Sequence, residues 1–213
     1  MNVQPFKKEL SMKKLFFVLS VMLFSVGAHA QRAVGTLTIQ PKVGLNIANY
    51  TNSDGADSRI GLAMGAELES QITEKFSLSV GALYSQQGAK ASDASQGLNV
   101  KTTIKTDYIN IPIMANVYVA QGFALKLGIQ PGFNVNSGYS ASAQGVSVSG
   151  SLSYMGINVK TIDFSVPVGL SYEYKNLVFD GRYNIGVTNV VKDDIDDSKH
   201  SVFQFTIGYK FNL

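Results

Sequence analysis

The chain of 213 residues contains no cysteine. That excludes disulfides, and it excludes the lipid-bearing cysteine on which a lipoprotein anchor depends. Long apolar runs are also lacking. The one such run, Leu15–Val26, falls short of the roughly 20 residues a membrane-spanning helix needs. It is preceded by Lys13 and Lys14 and followed by Ala28-His29-Ala30. A charged head, an apolar run and a small-x-small site form the layout of a secretory signal peptide. Residues 1–30 are therefore expected to be cleaved after Ala30, with either Met1 or Met12 as the start, leaving one domain, 31–213.

A surplus of charge is missing as well. Cleavage takes four lysines and one glutamate from 18 bases and 15 acids, so 14 of each remain and the formal charge of +3 falls to zero. Nothing in that balance attracts nucleic acid. Beyond the expected signal, no segment shows a helical period. Alternation with a period of two recurs instead, as in the final SVFQFTIGYKFNL, and this pattern belongs to strands with unlike faces. It predicts eight strands, near 39–50, 59–71, 75–88, 101–119, 122–136, 158–174, 177–190 and 199–212.

The connections are unequal in an ordered way. After the second, fourth and sixth strands they are tight: Ile72-Thr73-Glu74-Lys75, Ala120-Gln121-Gly122 and Lys175-Asn176. The others, 51–58, 89–100, 137–157 and 191–198, are longer and rich in Gly, Ser, Asn and Asp. The stretch 137–156 reads either as a flexible loop or as an extension of its flanking strands, and the alternation in GVSVSGSLSY favours the extension. One face of the strands is uncharged and apolar (Ile60, Leu68, Leu78, Ile113, Leu127, Val168, Phe205), with aromatics such as Phe76, Phe123, Tyr84 and Phe164 towards the ends. The opposite parity carries Gly44, Asn46, Gly65, Ser77, Ser79, Gly128 and Asn184 together with the charges. A water-soluble barrel would invert this arrangement. The expectation is an all-β, eight-stranded antiparallel up-and-down transmembrane barrel, with a lumen narrow enough to be filled by side chains and no open pore. Tight turns and both termini would face the periplasm, and the long loops would face outward.

The stretches LYSQQGAK (83–90), DYINIPIMANVYV (107–119), GIQPGF (128–133), DGRYNIGVTNV (180–190) and FQFTIGYKF (203–211) resemble the PorT-like outer-membrane β-barrel family of Gram-negative bacteria. The resemblance implies an outer-membrane location. Its named member is an accessory of a protein secretion system, and no catalytic residues follow from it.

Inward parity near the tight turns collects Lys42, Glu67, Glu69, Lys126, Glu173, Asp180, Arg182 and Lys210. Four acids against four bases predict a compensated ion network across the lumen, since unpaired charge there would be costly; a gate or proton path is the alternative use of the same residues. Asp193, Asp194, Asp196 and Asp197 in the last long loop are weak candidates for calcium, although the glycine and distal glutamate of an EF-hand loop are missing. His200 beside Ser201 raises a lipid-hydrolase reading, but strand neighbours point to opposite faces, and His200 reads as a rim residue. Ser85 in YSQQG lacks the preceding glycine of a nucleophile elbow. The sequence therefore implies a monomeric, non-enzymatic barrel without a cofactor, in a structural or interaction role. Its expected partners are outer-membrane lipid and lipopolysaccharide, the barrel assembly machinery, and an envelope or secretion-system protein reached through the long loops. A lipid-modifying hydrolase and a small porin-like channel are the alternatives.

Overall fold

The computed structural model describes residues 32–51, 56–95, 98–143, 146–191 and 198–213, without the side chains of 93–95 and 98–99. The expected signal peptide, 1–30, lies outside these residues. Eleven strands run in chain order: β1 Leu37–Tyr50, β2 Asp57–Thr73, β3 Phe76–Ser95, β4 Leu98–Asn110, β5 Ile113–Ala120, β6 Phe123–Ala143, β7 Val146–Ser151, β8 Ile162–Tyr174, β9 Leu177–Asn189, β10 Lys199–Tyr209 and β11 Phe211–Asn212. Among the described residues a 3-10 turn, Leu152–Met155, follows β7.

These strands make eight antiparallel staves. β4 and β5 share one stave, interrupted at Ile111–Pro112. Proline has no N–H to donate, but the ladder carries across the gap: Ile111 N–H donates to the Pro131 carbonyl at 2.8 Å, and Gly81 N–H to the Pro112 carbonyl at 3.0 Å. β10 and β11 form the last stave, broken at Lys210, and β7 pairs with β6 alone, outside the ring. Closure comes from β1, which pairs with β10 from Lys42↔Gly208 to Tyr50↔His200 and with β11 at Ile39↔Phe211. Gly44 lies on this seam, where a Cβ would run into the backbone of Phe205. Glycine there lets the first and last staves come together.

The turns Glu74–Lys75, Gln121–Gly122 and Lys175–Asn176 lie at the end that also holds Gly35, ahead of β1, and the C-terminal residues. Gly35 N–H donates to the Gln71 carbonyl and Lys210 N–H to the Asn176 carbonyl, each at 2.8 Å. Lys175 and Gly122 turn the chain with left-handed φ values of 58° and 69°.

At the opposite end one expected loop is corrected and one favoured extension is found. Residues 89–100 are mostly ladder, because β3 runs to Ser95 and β4 starts at Leu98. Within 137–157, β6 continues to Ala143 and pairs back with β7, which is the extension the alternation favoured. Outside hydrocarbon both faces of a strand meet water, so apolar alternation fades while the hydrogen-bonded ladder persists. In the other direction, the strand expected from 158 starts only at Ile162, and Val159 makes an isolated bridge to Val191.

The distribution of side chains is inside-out relative to a soluble protein. Leu127 and Phe205 are 56% and 54% exposed, whereas Glu67, Asp180 and Arg182 are 2%, 3% and 2% exposed. The outer surface is a belt of Val, Leu, Ile and Phe, and the aromatic face of the last stave belongs to it. The charges lie inside, so the soluble barrel is excluded and the belt meets lipid. A Leu127→Arg substitution at mid-height on this belt should cost about 2–4 kcal/mol. Guanidinium unfolding of the barrel in phospholipid vesicles should show the loss as a lower midpoint.

Candidate functional site: a charged layer inside the barrel

Period-two parity turns one side chain in two inward, and six staves thereby bring eight charged residues into the lumen near the tight-turn end. They form two groups. In the first, Arg182 on β9 donates from Nε to Asp180 Oδ1 at 2.8 Å and from Nη2 to Glu67 Oε1 at 2.9 Å. Lys126 Nζ on β6 donates to Asp180 Oδ2 at 2.6 Å and lies 3.6 Å from Glu67 Oε2. Lys42 Nζ on β1 is 2.9 Å from Glu67 Oε2; its alignment makes this an ion pair and not a hydrogen bond. Three cations thus surround two carboxylates, all deeply buried.

The second group lies nearer the turns. Lys210 Nζ is 2.9 Å from Glu69 Oε2 and 3.0 Å from Glu173 Oε2. Tyr118 bridges it: its hydroxyl donates to Glu69 Oε1 at 2.5 Å and accepts from Lys210 Nζ at 3.2 Å. Ser77 Oγ also donates to Glu69 Oε1, at 2.8 Å. Arg32, just ahead of β1, donates to Glu173 Oε1 at 2.7 Å and to the Asn212 side chain.

All eight residues singled out from the sequence therefore lie in these two groups. Arg32 is a ninth member that the sequence reading missed, because no strand pattern precedes Leu37 to give it a facing. Tyr118 was legible by parity, lying between the outward Val117 and Val119.

A further charged group was not singled out at all. Towards the far end, Arg59 Nη1 lies 3.2 Å from Asp107 Oδ1 and also donates to the Gln87 carbonyl. Tyr84 OH and Asn136 Nδ2 donate to Asp107 Oδ2 at 3.1 and 3.0 Å. Arg59 shares the inward parity of Glu67, which was the available signal.

His200 is not at the rim. The parity of β10 turns it inward, where it is buried against Tyr50 and Tyr108, each ring centroid 5.1 Å away. Its two ring nitrogens have no hydrogen-bond partner among the described residues. Ser201 faces the other way, with Oγ 2.9 Å from Tyr183 OH, so the two do not pair. Ser85 is occupied in the lumen, accepting from Asn46 at 2.9 Å and Gln87 at 3.0 Å. Asp193, Asp194, Asp196 and Asp197 lie outside the described residues. Among the described residues no group of three His, Asp or Glu is arranged to hold a metal.

Chemically, this layer can hold staves in register and obstruct the lumen.

Comparison with known proteins gives one family match: the profile of the outer membrane protein beta-barrel domain aligns with residues 29–192. No curated protein sequence matches. Among solved structures, the chain is similar to Ail, the attachment invasion locus protein of Yersinia pestis, at 14% identity over 84% of this chain and 100% of that one, TM-score 0.46. It is also similar to Neisserial surface protein A, at 15% identity over 82% and 97% of the two chains, TM-score 0.45. OprG from Pseudomonas aeruginosa follows at 10% identity over 87% and 100%, TM-score 0.39.

Removing one carboxylate from the first group would leave three buried cations facing a single acid. Asp180→Asn should therefore destabilise the barrel by about 3–5 kcal/mol. Lys42→Met leaves two cations against two acids and should cost clearly less. The double variant should recover part of the Asp180→Asn loss. Unfolding midpoints of the three proteins in one lipid would check that order.

Proposed function

The chain belongs to the outer membrane protein beta-barrel domain family, and from that premise we propose that it is a plugged barrel with a structural or interaction role in the Gram-negative envelope. The observation that carries this reading is the paired charged layer, which crosses the lumen from β1, β2, β6, β8 and β9 with Lys210 of the last stave. An ion would have to displace several buried salt bridges to pass.

The remaining parts of the reading follow from membrane physics. Residues 1–30 act as a cleaved export signal, and the tight turns and both termini are periplasmic, as short turns are in such barrels. The extended hairpins β3–β4 and β6–β7 then rise outside the membrane, where they meet lipopolysaccharide or an envelope partner. The finer assignment, a PorT-like accessory of protein secretion, rests on the stretches at 83–90, 107–119, 128–133, 180–190 and 203–211. The protein acts as a monomer, with the barrel assembly machinery as its partner during biogenesis.

A non-catalytic role is favoured by the separation of His200 from Ser201 across the two faces of β10. Two measurements test the proposal. In planar bilayers the folded protein should give no steady single-channel conductance, and a stable ohmic channel would overturn the plugged reading in favour of a porin. In whole cells, a photo-crosslinker at Tyr154, which is 91% exposed, should capture a discrete envelope component. A crosslinker at Leu127 should capture only lipid.

A further inference from the structure

Above the hydrocarbon belt the outer wall of the barrel changes chemistry. On β4 the belt ends at Ile109, which is 41% exposed. The outward positions beyond it are Asp107, Lys105, Thr103 and Lys101. The β3–β4 ladder runs unbroken from Leu83↔Asn110 to Ser95↔Leu98, so the facing set in the belt carries on above it. Lys90 on β3 stands opposite Thr103, and Ser140 on β6 stands opposite it on the other side. Lys101 and Lys105 lie two residues to either side of Thr103, on the same face.

Three lysines therefore surround one threonine. Directly opposed residues have Cβ atoms about 5 Å apart and diagonal neighbours about 7–8 Å, within the span of lysine side chains. Lys105 already leans this way. Its Nζ donates to Ser140 Oγ at 2.9 Å, in the row of Thr103 and not in its own. Lys90 and Lys101 are exposed. Among the described residues none of the three is in an ion pair.

Acids do little to offset this charge. Asp107, the next outward residue on β4, is held by Arg59 at 3.2 Å and by Tyr84 and Asn136. Asp57 stands opposite Lys90 on β2 and balances one charge. Asp93 is opposite Val100, a register position of the other parity.

Direction and height select the partner. The face looks sideways, along the membrane, so it meets what packs around the barrel and not what arrives at the mouth. Ile109 to Thr103 spans about 20 Å at the rise of a strand, or about 15 Å of height at the usual tilt. The headgroup zone adds only about 5–8 Å outside the hydrocarbon. Phospholipid phosphates end below the cluster, whereas the saccharide of lipopolysaccharide rises through its height. Ammonium groups beside hydroxyls suit phosphate, whose several oxygens accept from both. We propose that Lys90, Lys101 and Lys105, with the hydroxyls of Thr103 and Ser140, form a docking surface for phosphate groups on the saccharide of lipopolysaccharide packed against the barrel. This rests on the outward orientation proposed above and gives the envelope partner named there a chemistry.

The test is binding to the full barrel, folded in detergent and followed by native mass spectrometry. The probes are phosphorylated lipopolysaccharide, the same lipopolysaccharide with its phosphates removed, and phosphatidylglycerol. Phosphorylated lipopolysaccharide should bind at least about tenfold more tightly than either of the others, the value of one strong charge-assisted contact. Lys101→Gln and Lys105→Gln should each weaken it about threefold, the scale of an exposed ion pair. Substituting all three lysines by glutamine should remove the preference for phosphate. Lys75→Gln, the same charge change in a turn at the other end, should leave binding as it is. Equal binding of the two forms of lipopolysaccharide, or a preference that survives the triple substitution, would overturn the docking surface. Equal binding of phosphatidylglycerol would assign the lysines to phospholipid and overturn it too.

A labelling experiment separates this failure from that of the orientation. The chain has no cysteine, so Lys101→Cys offers one thiol to a membrane-impermeant maleimide, and intact cells should label it. A labelled thiol with no phosphate-dependent binding refutes the docking surface alone. A thiol that labels only after lysis refutes the orientation, and the docking surface falls with it.

Discussion

Hydrocarbon offers no hydrogen bond to a peptide group, and the rest of this structure follows from that constraint. Every N–H and C=O at membrane depth must find a partner within the protein, so a sheet can cross only if it has no free edge. Pairing of β1 with β10 and β11 removes the last two edges. The seam accounts for details that would otherwise look unrelated. Gly44 is bare because the backbone of Phe205 passes so close. Phe211 and Asn212 resume pairing after the break at Lys210, and the donation of Arg32 to Asn212 ties the segment before β1 to the last residues of the ring.

Closure with eight staves leaves an interior that side chains can fill. Small residues and amides take up most of it, and the charges that remain have little water to screen them. Their arrangement reflects this. The acids and bases are interleaved, so that each carboxylate of the first group faces at least two cations. Such a layer is weak evidence of added stability, because desolvation opposes the attraction between the charges. Its better-founded effect is on register. Sliding one stave by two residues would keep its polar face inward yet pull Glu67 away from Lys42, Lys126 and Arg182 at once, or Asp180 away from Lys42 and Lys126.

The fold was legible because lipid and lumen impose opposite demands on alternate residues, and a pattern such as Phe203, Phe205, Ile207 and Tyr209 records both. The eight charged lumen residues were legible for the same reason, since parity alone gave their facing. Legibility failed where one of the two demands lapses. Above the membrane both faces of a strand are wet, so 89–95 and 98–100 looked like loop although the ladder continues. Arg32 lay ahead of any alternation and could not be oriented. His200 was read as a rim residue because its position near the loop outweighed the parity that places it inside.

The seam also has a consequence for the time course of folding. It joins the first strand to the last, so the contact that finishes the barrel is the one with the greatest separation along the chain, and loop closure of that length is slow. Until it forms, the two terminal staves each present an unpaired edge of the kind that recruits other chains, and they do so with an apolar outer face. The nascent barrel is therefore most vulnerable to aggregation at the moment when all its other hairpins are already complete. That interval ends when Lys42 and Gly208 meet and both edges disappear together.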